Sequence, residues 1–312
     1  RPGVARTGRR TTSGGACSMS PYQILDRRFE ALIIGHARLE RLWTGSRWAE
    51  GPVYVPAAKS LIWSDIPEDR LMRYDETDGS VSVFEHPCGY HNGHTLDREG
   101  RIVACEHGGR RVTRTEHDGT ITVLADRYDG KPLNSPNDVV VRSDGTVFFS
   151  DPSYGIEGYY EGFAAEPEQA GQFLFRLTPD GTLTVAADDM QRPNGLAFSP
   201  DERILYVSDT GTKTMRAYDV APDGTLSDSR EFARCTAGGF DGFRLDEQGH
   251  IWSSAGDGVH VLHPDGTLLG KVKVPEGVAN VQWGGYKRNR LYICATTSLY
   301  AILLPVRGAK TM

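Results

Sequence analysis

The chain has 312 residues, 38% hydrophobic and 24% charged, with a formal net charge of −6. That length supports a sizeable core, and the acidic balance argues against nucleic acid as a partner. No apolar run reaches membrane-spanning length, so no membrane partner is expected either.

The head carries Arg1, Arg6, Arg9 and Arg10, with no acid before Asp26, among many Gly, Ser and Thr residues. Residues 1–24 are therefore expected to be disordered. Met19 is a candidate start, with residues 1–18 read as a tag, a remnant or upstream sequence. The longest apolar run of the head, Ala31-Leu32-Ile33-Ile34, is too short for a signal-peptide core. A cytoplasmic location is expected, with export as the alternative. Residues 25–37 form an N-terminal segment, and helical periodicity around 26–34 predicts a short helix there. Residues 38–305 change texture to strand and turn, and 306–312 form a tail. The five cysteines, Cys17, Cys88, Cys105, Cys235 and Cys294, are odd in number and contain no C-x-x-C pair. That disfavours a disulfide framework or a zinc finger. Cys105 and Cys294 lie in apolar runs and read as small buried hydrophobes.

Beyond residue 45, Asp-Gly pairs at 78, 118, 129, 144, 180, 223 and 265 punctuate short runs rich in Val, Ile, Phe and Tyr. These are turn and strand signals. Similar phrases open successive units: Trp48–Val53, Tyr90–Thr95, Pro136–Val139, Pro193–Leu196, Phe240–Phe243 and Ala279–Gln282. Taking Glu50, Asn92, Asn137, Asn194, Asp241 and Asn280 as markers gives spacings of 42, 45, 57, 47 and 39. A second strand follows each marker, often ending in Ser-Asp: Ser64-Asp65, Ser150-Asp151, Ser208-Asp209. A period of this length built from short strands predicts an all-β, six-bladed β-propeller. Arg38–Trp43 is the candidate to close the ring against Ser298–Leu304, although Leu42 falls on the wrong face for a regular strand.

In such a ring each unit's first strand lines the axis. The six markers would then stand together at one mouth of the channel, two carboxylates and four amides. Singly, each Asn or Asp is equally suited to capping its own turn. Together they form an oxygen-rich set that suits one divalent metal ion, calcium first, with magnesium, manganese or zinc as alternatives. If Asn92 faces the channel, strand alternation sends His94 to the same side as a candidate substrate contact, the alternative being a hydrogen-bonded interior histidine. The long third interval holds an insertion, Ser153–Gly171, whose Tyr154, Tyr159, Tyr160 and Phe163 suit either a wall or lid over the site or an ordinary surface loop. No Gly-x-Ser-x-Gly elbow, P-loop or dinucleotide fingerprint occurs.

The phrases WAEGPVYVPAAKSLIWSDI, CEHGGRRVTR, SPNDVVVRSDGTVFFSDPSYG, RPNGLAFSPDERILYVSDT and FDGFRLDEQGHIWSS resemble the gluconolactonase family. That family includes senescence marker protein (regucalcin) and the luciferin-regenerating enzymes. The resemblance runs from about residue 38 to 305, and its wording is nearest to bacterial gluconolactonases. It implies a metal site at the channel mouth with Glu50, Asn194 and Asp241 as ligands. It implies Asp241 as the catalytic base or acid, Asn137 as a contact to substrate or to a metal-bound water, and hydrolysis of a sugar lactone to the aldonic acid. Tyr154 and His94 are the further candidate substrate contacts. Animal members carry Arg two residues before the Asn137 position, where this chain has Ser135. A lactonase for another lactone and a non-catalytic calcium-binding propeller are the alternative readings.

Overall fold

Short β-branched and aromatic runs, broken every few residues by Gly and Asp turns, favour antiparallel meanders over any other packing. The computed structural model describes residues 20–310, so the head through residue 19, with Cys17, and residues 311–312 lie outside it. Six meanders form, each a sheet of at least four antiparallel strands. Blade one comprises Ala49–Val55, Ser60–Asp65, Arg70–Asp75 and Val81–Glu85. Blade two runs from His91–Leu96 to Ile121–Ala125, blade three from Val139–Val141 to Leu183–Ala187, and blade four from Pro193–Phe198 to Leu226–Arg234. Blade five runs from Phe243–Leu245 to Leu268–Lys273. Blade six comprises Val278–Gly284, Arg290–Ala295 and Ser298–Leu303, with Glu40–Thr44 as its fourth strand. The first strand of every blade touches the first strands of both neighbouring blades, and blade six meets blade one. This is the all-β, six-bladed propeller expected from the marker spacing.

The ring closes between distant parts of the chain. Glu40–Thr44 pairs antiparallel with Ser298–Leu303, with a register shift between Arg41 and Trp43. That bulge explains the awkward Leu42: the extra residue turns both Leu42 and Trp43 onto the cluster around Trp63 and Tyr292. Two boundaries differ from expectation. Tyr22–Ile24, assigned by composition to the disordered head, adds a fifth strand to blade five, with Tyr22 opposite Val272. The helix expected around 26–34 is a six-residue 3-10 turn, Arg27–Leu32, capped by Asp26, which accepts from the Arg28 N–H at 2.9 Å. Its apolar side chains Phe29 and Leu32 bury against blade five rather than along a helical stripe. The four described cysteines are unpaired and buried.

Cores lie between blades: Phe149 and Phe175 stack at 5.3 Å between blades two and three, and Trp252 meets Trp283 edge-on at 5.3 Å between five and six. Toward the axis the packing becomes backbone on backbone. A Cβ on Gly195 would lie 2.3 Å from the Asp241 carbonyl oxygen, and one on Gly242 would lie 1.9 Å from Asn280 Cγ. Each glycine follows a marker and lets the next blade's marker close in; only a residue without a side chain fits. Register shifts interrupt the inner strands between Glu50 and Val53, His91 and His94, Pro193 and Leu196, and Val278 and Asn280. Such bulges bend a strand and re-aim the side chains beside them.

Candidate active site

The Ser-Asp phrases do the positioning. Asp65 Oδ1 accepts from the N–H groups of Arg47 (2.8 Å) and Trp48 (3.3 Å), just ahead of Glu50. Asp151 Oδ2 accepts from Asn134 N–H at 2.8 Å, three residues before Asn137. Asp209 accepts from Gln191 N–H (3.1 Å) and Arg192 N–H (2.9 Å), just ahead of Asn194. Each carboxylate thus pins the chain where it turns into its marker. The serines act on the marker backbones themselves: Ser64 Oγ donates to Asn92 O at 2.9 Å, and Ser208 Oγ to Asp241 O at 2.8 Å. Ser254 Oγ accepts from Asp241 N–H at 2.8 Å. With its backbone held on both sides, Asp241 has only its carboxylate free to act. The repeated phrase was visible in the sequence, but its clamping role needs the contacts.

The expected metal ligands come together at the entry ends of blades one, four and five. Glu50 is 4% exposed; one carboxylate oxygen accepts from Gly51 N–H and from Asn280 Nδ2, the latter at 2.9 Å. Burial first, then the charges of Asp138 and Glu161, raise its pKa to about 7 against those donors. Asp241 is driven well above the usual carboxylate range by burial and then by repulsion from Glu50, Glu161 and Asp138, with the Asn194 amide opposing. Among the described residues no basic side chain is among the strongest influences on either carboxylate. Thr210 Oγ1 donates its hydrogen to Phe240 O at 2.9 Å, so it accepts from Asn194 Nδ2 at 3.2 Å. That fixes the Asn194 amide with Oδ1 unengaged among the described residues.

The remaining candidates divide. The buried Asn137 side chain makes no hydrogen bond among the described residues. Asn92 donates to His107 Nε2 at 3.3 Å and serves that histidine instead. His94 is a correction. It is fully buried, with Nδ1 on Gly51 O at 2.8 Å and Nε2 on His91 Nδ1 at 3.2 Å, so no ring nitrogen remains for a substrate. The alternation that pointed it toward the channel assumes a regular pleat, and the register shift between His91 and His94 breaks that pleat. Burial, then the neighbouring His91, lower its pKa to about 3, and the neutral ring props the Gly51 carbonyl beside Glu50.

The insertion folds down beside the mouth. Ser135 is fully buried; its hydroxyl donates to Pro152 O at 2.7 Å and accepts from Gly155 N–H at 2.9 Å. The position where animal members carry Arg is here an anchor for the inserted loop. His107 Nδ1 holds the far side of the loop by donating to Glu161 O at 3.0 Å. Tyr154 lies within electrostatic reach of Asp241 and of hydrogen bonding to Thr210 and Asn194. The Arg192 guanidinium covers the Tyr154 ring at 3.9 Å and pairs with Glu157. Tyr159, Tyr160 and Phe163 instead face solvent. Glu161, which the sequence reading passed over, has its pKa raised to about 7 by burial and then by Glu157, and it acts on both Glu50 and Asp241.

An enclosed and a partly buried carboxylate, with no ion pair to either among the described residues, are costly unless something neutralises them. With a fixed amide oxygen beside them they fit a hard dication bound through oxygen. Among the described residues no group of three or more His, Cys, Asp or Glu could hold a metal, so any site here is an open one completed by an amide.

A family model described as the SMP-30/Gluconolactonase/LRE-like region matches residues 48–297. A gluconolactonase of Zymomonas mobilis is 32% identical over 302 residues, covering 88% of this chain and 83% of its own. A pentonolactonase of Haloferax volcanii is 33% identical, covering 80% of this chain and 82% of its own. A solved gluconolactonase structure from Xanthomonas campestris superposes with a TM-score of 0.86 at 41% identity, covering 91% of this chain and 95% of that one.

Proposed function

Because the chain belongs to the SMP-30/gluconolactonase/LRE-like family and is a lactonase, we propose that it hydrolyses a sugar lactone of the glucono-1,5-lactone type to the aldonic acid. One divalent ion, calcium first, would be held by Glu50, Asn194 and Asp241. The observation that carries this reading is the pair of carboxylates, Glu50 enclosed and Asp241 partly buried, that repel one another beside an unengaged amide oxygen. When bound, the ion supplies Lewis-acid polarisation of the lactone carbonyl and acidifies nearby water.

The chain's own residues do the rest. The Asn137 amide and the Tyr154 hydroxyl hold lactone oxygens and fix the ring against the attacking water. A carboxylate oxygen of Asp241 takes the water's proton and returns it to the ring oxygen as the acyl–oxygen bond breaks. The partial exposure of Asp241 at the mouth leaves it accessible to water, whereas Glu50 is enclosed. The test is a pH-stat assay on glucono-1,5-lactone after chelation, with Ca²⁺, Mg²⁺, Mn²⁺ and Zn²⁺ added back singly. Acid release that returns with a metal is expected; undiminished hydrolysis after exhaustive chelation sinks the metal assignment.

The two asparagines separate ligation from substrate handling. Asn194→Ala is expected to weaken metal affinity about 10-fold or more while excess metal restores most of kcat. Asn137→Ala is expected to raise KM or lower kcat by about 10-fold with metal affinity intact. Calorimetric metal titration beside steady-state kinetics reads both, and the reverse pattern would exchange the two roles.

A further inference from the structure

We infer that the Glu157–Arg192–Tyr154 stack at the channel mouth makes the enzyme select uncharged sugar lactones over anionic ones. The inference rests on the lactonase reading above and names the substrate class within it.

Ser135, two residues before Asn137, offers no group to a substrate: it is buried and spent on the loop. The cation that reaches Tyr154 and Glu161 is Arg192, which enters from blade four rather than blade three. Its place is fixed twice, by the Tyr154 ring 3.9 Å below and by Glu157 at its edge. Glu157 is itself held, accepting from Ser153 Oγ at 2.7 Å. Arg192 therefore arrives with its charge already answered. It offers a flat, hydrogen-bonding cap for sugar hydroxyls, not a free cation for a phosphate, sulfonate or carboxylate.

The surroundings add to this. Among the described residues the two cations already have carboxylate partners: Arg192 pairs with Glu157, and Arg244 lies 3.5 Å from Asp138. Glu161 is a further acid beside these groups. In a partly enclosed mouth, one such charge at several ångströms disfavours an anionic substrate by about 10- to 30-fold.

The experiment compares kcat/KM for D-glucono-1,5-lactone and its 6-phosphate in the metal-loaded enzyme and in two variants. The wild type is expected to prefer the neutral lactone by about 10-fold or more. Glu157→Gln frees Arg192 and should narrow that preference about 10-fold, whereas Arg192→Gln should widen it. Raising the salt should move all ratios toward parity. The two variants have opposite signs, so general damage to the loop cannot imitate the result. Hydrolysis of both lactones with ratios unmoved by either substitution overturns the selectivity inference alone. Failure of the metal-loaded wild type to hydrolyse either lactone overturns the lactonase reading and this inference with it.

Discussion

Asp241→Asn is expected to lower turnover of glucono-1,5-lactone by about 10²- to 10⁴-fold at saturating metal, the range of a lost general acid–base group. The amide keeps the volume and one oxygen of the carboxylate, so ligation weakens without disappearing, and excess metal separates the two losses. The same substitution carries a second effect of opposite sign. Burial and the charges of Glu50, Glu161 and Asp138 all oppose the Asp241 carboxylate. A neutral side chain there should raise the melting temperature of the chelated protein by a few degrees, since an unfavourable buried charge is removed. A slow but more stable variant is the signature of a functional residue placed at a cost to the fold. Near-normal kcat with metal bound would show that another group takes the proton, and Glu161 would be the next to examine.

Chelation is expected to destabilise the protein more at about pH 8 than at about pH 5. Glu50 titrates near 7 in the folded protein, above its ordinary value of 4.5, and Asp241 is raised as well. The folded chain therefore holds protons that the unfolded chain releases. Their contribution is complete below the ordinary carboxylate range and is lost as pH rises toward the raised values. The metal-free protein weakens over that window. Metal binding needs both carboxylates ionised, so it strengthens over the same window. At free metal about 100-fold above Kd, binding adds about 2.7 kcal/mol, worth about 4 °C in Tm at the unfolding entropy usual for a chain of 312 residues. Calorimetric melts with calcium and with chelator across pH should diverge upward. Parallel curves would mean that Glu50 and Asp241 are not the ligands.

Much of this is legible in the sequence. The marker residues betray the blade number because every blade must enter the axis through the same narrow turn, and Gly195 and Gly242 record how tight that turn is. Glu50, Asn194 and Asp241 could be grouped because they share one repeat position. What escaped were features that depend on departures from regularity. His94 was misplaced by a bulge, Leu42 was made to look wrong by another, and bulges leave little trace in residue type. The Asp of each Ser-Asp phrase looked like a strand end, since its partners lie 17 or 18 positions away in the chain. Glu161 lies in an insertion outside the repeat, so no periodicity could single it out. Ser135 was noticed as a missing Arg, whereas its actual task, anchoring the loop, is set by a pair of short hydrogen bonds.

The seam of the ring runs through the site. Ser298 Oγ donates to Thr44 Oγ1 across 254 positions of the chain, and Asn280 Nδ2 reaches Glu50 across 230. During synthesis Glu50 leaves the ribosome with the first blade, and Asn280 leaves with the last. Contacts of such separation form late, after the nearer meanders have settled. Until then the Glu50 carboxylate faces water, without the enclosure it has in the closed ring. The nascent chain therefore gains folded blades one at a time, but it gains its chemistry in a single step at closure.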